Sequence, residues 1–167
     1  IRKDFEKKFI ENISSKYAGK IDIEYAFQDI NDIPKKFNLP RNRQKPWGTA
    51  HAILSARNLI TSSFVVINAD DFYGRESFQS ISNFYRNNNC FCMVSFDLNN
   101  TLSEFGSVTR GICKVMNNNL ISIKETEGII RSDNSILCSN KKKYTGFEPV
   151  SMNMWGFSPR LFDFLKL

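Results

Sequence analysis

The stretch 45–74, KPWGTAHAILSARNLITSSFVVINADDFYG, constrains the fold more than any other part of the chain. Gly48 marks a tight turn, and Thr49 is placed to cap a helix behind it. Ala50, Ile53, Leu54 and Ile60 give that helix one apolar side. Residues 64–67 form a short, continuous apolar run, the pattern of a strand covered on both faces. Asn68, Ala69, Asp70 and Asp71 follow it directly. Ligands of open α/β sheets bind at the carboxyl ends of strands. Two acids in that place suit a hard cation carrying phosphates.

The remaining pattern predicts an alternation of helices and strands. Residues 2–17 read as a helix, with Phe5, Phe9 and Ile13 on one side and Gly19 as its stop. Residues 21–27 alternate as a strand ending at Gln28. Residues 29–44, with Pro34 and Pro40, read as a long loop of the functional kind. A helix over 75–86, with Phe78 and Ile81 inward, leads to a strand over 90–96. This order predicts right-handed crossovers and a mixed, mostly parallel sheet flanked by helices. The second half reads differently. Strands are expected over 107–116 and 120–126, joined by an Asn117–Asn118–Asn119 hairpin. An irregular stretch over 129–143 holds a short strand at 136–137. A further strand over 150–157 precedes a helix led by Ser158 and Pro159. Neither an internal repeat nor a second domain is evident, and 1–167 reads as a single domain.

The composition narrows the function classes. The chain has 167 residues, 41% of them hydrophobic and 15 of them Phe, enough for a sizeable core. No apolar run approaches the roughly 20 residues of a membrane span. The net charge of +6 is compatible with phosphate-bearing partners, and Arg41, Arg43 and Lys45 cluster beside the glycine turn. Cys90, Cys92, Cys113 and Cys138 lack CxxC spacing, and His51 is the only histidine, which argues against zinc. The four cysteines read as buried reduced thiols of a cytoplasmic protein. His51 reads as structural or close to a site.

KPWGTAHA and VINADDFYG resemble sugar-phosphate nucleotidyltransferases, the family of glucose-1-phosphate uridylyl- and thymidylyltransferases. AFQDINDIP, SEFGSV, SIKE and SMNMWGF follow in the family's order, so the resemblance covers nearly the whole chain. It implies a nucleotide-diphosphosugar transferase fold, a Rossmann-like mixed sheet of the GT-A kind, incomplete at both ends. It also implies a reaction: a sugar 1-phosphate oxygen attacks the α-phosphorus of an NTP, giving an NDP-sugar and pyrophosphate. Charge neutralisation and alignment carry such chemistry. By resemblance, Asp70 is the catalytic metal ligand and Asp71 its neighbour, together holding Mg²⁺. Gln28, Trp47, Gly48 and Thr49 form the nucleotide side, with Gln28 suited to uracil or thymine. Gly106, Glu125 and Asn153 form the sugar side.

The departures are specific. The family's glycine-rich phosphate loop, with its Arg and Lys, has no counterpart here. Its second metal-binding Asp or Asn would fall after Leu167. Thr126 stands where many relatives carry a Lys after the sugar-binding Glu. The chain therefore reads as a fragment, inactive or nearly so alone. Two other readings follow from the same residues: a non-catalytic nucleotide-binding scaffold, and a related glycosyltransferase. The latter is disfavoured because Asp70 and Asp71 are adjacent rather than in a D-x-D pair. The expected partners are an NTP and a sugar phosphate, with no membrane or nucleic acid.

Overall fold

The computed structural model describes residues 1–34, 36–132 and 135–165. Position 35 of the expected loop and positions 133–134 of the expected irregular stretch lie outside these residues. The chain divides into two compact units. The first comprises Ile1–Phe64 and Phe157–Leu167, and the second Val65–Gly156.

In the second unit, strand follows strand with little helix. β1 (Phe64–Val66), α3 (Gly74–Asn87), β2 (Cys92–Asp97), β3 (Val108–Met116), β4 (Asn119–Ser132), β5 (Ser135–Leu137), β6 (Lys143–Tyr144) and β7 (Pro149–Phe157) build one seven-stranded sheet and its covering helix. Neighbours run β1-β7-β3-β4-β5-β6, and β2 also pairs with β7. The registers of β2 with β7, β3 with β4, β3 with β7, β4 with β5 and β5 with β6 are all antiparallel. The expectation of a Rossmann-like, mostly parallel sheet flanked by helices is thereby overturned. α3 does connect β1 to β2, as a crossover would, but both strands pair with β7 rather than with each other. β7 runs against its neighbours, and the remaining strands are added as hairpins.

The hairpin between β3 and β4 follows from its asparagines. Asn117 and Asn118 adopt φ of 49° and 59°, the left-handed region that Asn tolerates and two-residue hairpin turns require. β4 continues to Ser132, well past the expected strand, and pairs with β3 and then with β5. Leu98, Ile129 and Val150 are fully buried and join Ile136 and Cys138 in one core cluster. Met154, also fully buried, joins Tyr73 and Ile81 in another. The two clusters share Phe96 at their margins.

The first unit is looser. α1 (Glu6–Asn12) lies between two short 3₁₀ turns, so the expected helix over 2–17 is broken. The Ser15 hydroxyl donates to the Glu11 carbonyl, and Asn12 Nδ2 donates to that of Lys8. Such side-chain bonds compete with a continuing helix. Gly19 then takes φ +74°, ending this region as expected. Residues 21–27 are extended but form no strand. The described bonds near their end run from Gln28 N–H to the Ile1 carbonyl and from the Ile1 amino group to the Ala26 carbonyl, with no ladder beside them. α2 (Thr49–Ser55) and α4 (Leu161–Leu165) contact one another, and the Phe64 ring stacks on Phe162 at 5.6 Å.

Local expectations change too. Gly48 is the N-cap of α2, and no side chain makes a capping bond, so Thr49 is the first helical residue rather than the cap. Val65 and Ile67 are exposed, so β1 is not covered on both faces. Phe78 is exposed, whereas Ile81 is buried. All four thiols are free, but only Cys113 and Cys138 are buried. Among the described residues no helix is long and apolar enough to cross a membrane.

Candidate functional site

A cavity of about 360 Å³ in the second unit gathers residues from four segments of the sequence. Asp71 comes from the loop after β1, Arg110 from β3, Glu125 from β4 and Asn153 from β7. Three of these are sites the sequence resemblance had marked: Asp71, Glu125 and Asn153.

The carboxylate of Asp71 is held from one side. Asn68 Nδ2 donates to its Oδ2 at 2.8 Å, and the Tyr73 hydroxyl lies 3.4 Å from the same oxygen. Every described hydrogen bond to this carboxylate goes to Oδ2. Tyr73 is buried, and its hydroxyl accepts from the Asn68 backbone N–H at 2.9 Å and donates to the Met152 carbonyl at 2.8 Å. Burial pushes the Tyr73 pKa up, the Asn68 N–H opposes this, and the Asp71 and Asp70 carboxylates add to the rise. The phenol therefore stays protonated and ties the acidic loop to β7, one residue before Asn153. Asp70 is exposed and does not line the cavity.

Asn153 is presented by an irregularity in β7. Met93 pairs with Trp155 but Ser95 pairs with Ser151, so β7 carries extra residues between them. Asn153 lies in this bulge at φ +61°, and its N–H donates to Ser151 Oγ at 3.2 Å. Bulges re-aim side chains, and left-handed non-glycine residues cluster at functional sites. Glu125 is exposed and stands one residue before the buried Thr126. Gly106 is half-buried but outside the cavity lining, and an added Cβ there would meet nothing within 4 Å.

The first unit assembles the other set. Gln28 Nε2 donates to the Trp47 carbonyl at 3.0 Å and contacts His51 Nδ1 at 3.1 Å. His51 Nε2 lies 2.7 Å from the Asp32 carbonyl, so the proton belongs on Nε2 and Nδ1 accepts. Both amide hydrogens of Gln28 are then engaged, leaving Oε1 as its acceptor. Trp47 Nε1 donates to the Ile30 carbonyl at 2.8 Å, and the Arg43 guanidinium lies 3.7 Å over the indole. The expected long loop is thus organised by Trp47 and His51. Gly48 is exposed, has ordinary backbone angles (φ −69°), and an added Cβ would meet nothing within 4 Å. Neither conformation nor crowding in the chain itself demands glycine there. Gln28 also lines a cavity of about 400 Å³ with Arg2, Lys3, Phe27, Gln44 and Pro46.

Three contributors were missed in the sequence reading. Tyr73 and Asn68 flank the acids closely enough to have been suspected. Arg110 carried a clearer signal, a charge between Val108 and Ile112 on the inward side of an alternating strand. Among the described residues no group of three or more His, Cys, Asp or Glu side chains converges as a metal cage. Asp71 in the cavity, with Asp70 exposed beside it in sequence, still fits magnesium, which binds through one or two carboxylates and the substrate's phosphates.

No model of a known protein family matches the chain, and no curated protein matches it.

Proposed function

We propose that the chain is part of a cytoplasmic nucleotidyltransferase. It transfers a nucleoside monophosphate from an NTP, UTP or dTTP favoured, to a sugar 1-phosphate or similar phosphate. The observation that supports this best is the convergence of Asp71, Glu125 and Asn153 on one cavity. The resemblance marks Asp71 beside the metal and Glu125 and Asn153 on the sugar side, and the fold of the second unit gathers these three, with Asp70 and Gly106 outside the lining.

The chemistry follows from the groups present. An acceptor phosphate oxygen forms a bond to the α-phosphorus as the bond between the α-phosphorus and its bridging oxygen breaks, and pyrophosphate leaves. No protein nucleophile is needed; positioning and charge compensation suffice. Asp71, its Oδ2 held by Asn68, would hold magnesium, with Asp70 beside it in the exposed part of the loop. A bound magnesium ion supplies neutralisation of phosphate charge. Glu125 and Asn153 offer a carboxylate and an amide to sugar hydroxyls. In the first unit, Gln28 Oε1 accepts from a base, which suits the imide N–H of uracil or thymine. Gly48 leaves its backbone open to a planar ring.

The test is calorimetric titration of the full-length protein with UTP in the presence of Mg²⁺, beside Asp71→Ala. Wild type should bind, and the variant should lose metal-dependent binding by roughly 100-fold or more. Absence of binding by UTP and by each other NTP would overturn the reading in favour of a non-catalytic domain.

A further inference from the structure

Arg110 occupies a position that the alternation of β3 gives to apolar side chains. Val108 and Ile112, on either side of it, pack against the core. Its guanidinium is fixed by main-chain carbonyls. Nε and Nη2 both donate to Thr101, at 3.2 and 2.6 Å, and Nη1 donates to Thr109 at 2.9 Å. Three of the five N–H bonds of an arginine are thus engaged, and two remain.

Among the described residues no carboxylate lies within ion-pairing distance of this group. Arg110 is nevertheless half-buried and lines the cavity of Asp71, Glu125 and Asn153. Burial lowers its pKa and the Asp71 carboxylate acts the other way, yet an arginine stays charged. The chain therefore holds a rigid, partly desolvated cation, carried by a residue of the cavity lining, with carbonyl dipoles but no ion pair among the described residues. A planar fork with spare donors matches a phosphate, which can accept two of its N–H bonds together.

We propose that Arg110 is the anion-binding residue of this cavity and that it takes the phosphate of a small phosphate monoester. Identification of that monoester as the acceptor rests on the proposed transfer reaction; the anion site does not. Glu125 and Asn153 then select the organic part by its hydroxyls, and Arg110 requires that it be phosphorylated. Neutral sugars are rejected because they leave the charge unanswered.

The experiment titrates the full-length protein, with Mg²⁺ present, with inorganic phosphate, glucose 1-phosphate and glucose. The proteins are wild type, Arg110→Gln and Arg110→Lys. Both anions should bind wild type, weaken on the order of 10- to 100-fold in Arg110→Gln, and recover in part in Arg110→Lys. Glucose should bind weakly and without regard to residue 110. Arg110 also supports the Thr101 carbonyl, so a readout on the unaltered protein is needed. In ¹⁵N-labelled wild type the Arg110 guanidinium resonances should shift when phosphate is added. Equal binding of both anions by wild type and Arg110→Gln, or guanidinium resonances that phosphate leaves in place, would overturn the proposal. A phosphate-dependent shift in a protein that turns over no NTP would overturn the transfer reaction and leave the anion site standing.

Discussion

The two units are built from similar materials to different standards of order. In Val65–Gly156, long hairpins and the many-partnered strand β7 bury Leu98, Ile129, Val150 and Met154 completely. Among the described residues of the first unit, Leu54 and Phe162 are the buried hydrophobic ones and neither is fully buried; exposed apolar side chains occur in both units, such as Phe5 and Phe37 in the first and Phe72 and Phe105 in the second. The first unit is organised instead by polar contacts around Gln28, Trp47 and His51. Apolar burial supplies most of the driving force for folding, at roughly 25 cal/mol per Å². The difference teaches that the fully buried side chains and the costly backbone conformations occur in the same unit. Every non-glycine residue at positive φ among those described, namely Asn117, Asn118, Lys141 and Asn153, lies in the second unit.

Truncation should separate the units most sharply. Leu98→Ala removes a fully buried side chain and should cost about 3–4 kcal/mol in urea denaturation. Phe5→Ala, at a half-exposed position, should cost under about 1 kcal/mol. Equal losses would break the comparison. A smaller effect tests whether the well-packed frame supports strain for function. Asn153→Ala places an ordinary side chain in the left-handed region and should lose about 1–2 kcal/mol. Asn153→Gly should keep or slightly raise stability, yet still weaken glucose 1-phosphate binding. If glycine restores binding as well, the amide has no part in recognition.

The smallest effect is in acid. Hydrogen bonding to Arg57 holds the Asp32 carboxyl below its usual range, against a smaller opposing effect of burial. For Glu148, burial raises the pKa, but donors from the Thr145 and Gly146 backbones and the Thr145 hydroxyl outweigh it and lower the value. Both folded-state values lie below the unfolded ones, so both contributions are present above about pH 4.5 and fade as pH falls through the folded values. Asp32 is 43% exposed in its ion pair, so its share is a few tenths of a kcal/mol. Glu148, in the better-ordered unit, should contribute more, up to about 1 kcal/mol. Urea titrations from pH 7 to pH 3 on Asp32→Asn and Glu148→Gln should show the larger flattening for Glu148→Gln.

What the sequence disclosed divides along physical lines. Local chemistry was legible: the asparagine turn, the stop at Gly19 and the strand over 150–157 follow from residue types and short periods. Pairing was not. The alternation of helix and strand around β1 and β2 is shared by parallel crossovers and by strands that receive an antiparallel neighbour between them. Only β7, distant in sequence, decides between these. Residues 21–27 have strand periodicity, but periodicity supplies no neighbour. At the candidate site, Asp71, Glu125 and Asn153 were marked through the family resemblance, and one cavity brings them together. That Asp71 lines this cavity while Asp70, the expected catalytic ligand, is exposed outside it was not legible, because it depends on where Tyr73 and Asn68 direct the loop. The sequence signals Arg110 as a charge on the inward side of a strand, but such a charge gives no sign of which carbonyls will hold it.

The position of β7 also sets an order of events during synthesis. β1, β2 and β3 all pair with β7, and all leave the ribosome before it does. The β3–β4 hairpin can close at once, since its partners are joined by a short turn. β1 and β2 must wait with open edges until residues 149–157 emerge. Long-range antiparallel closure of this kind is slow, and unpaired edges recruit other chains in the interval. The nascent polypeptide is therefore most aggregation-prone while residues 149–157 have yet to clear the ribosome, and it can complete its sheet only once they have emerged.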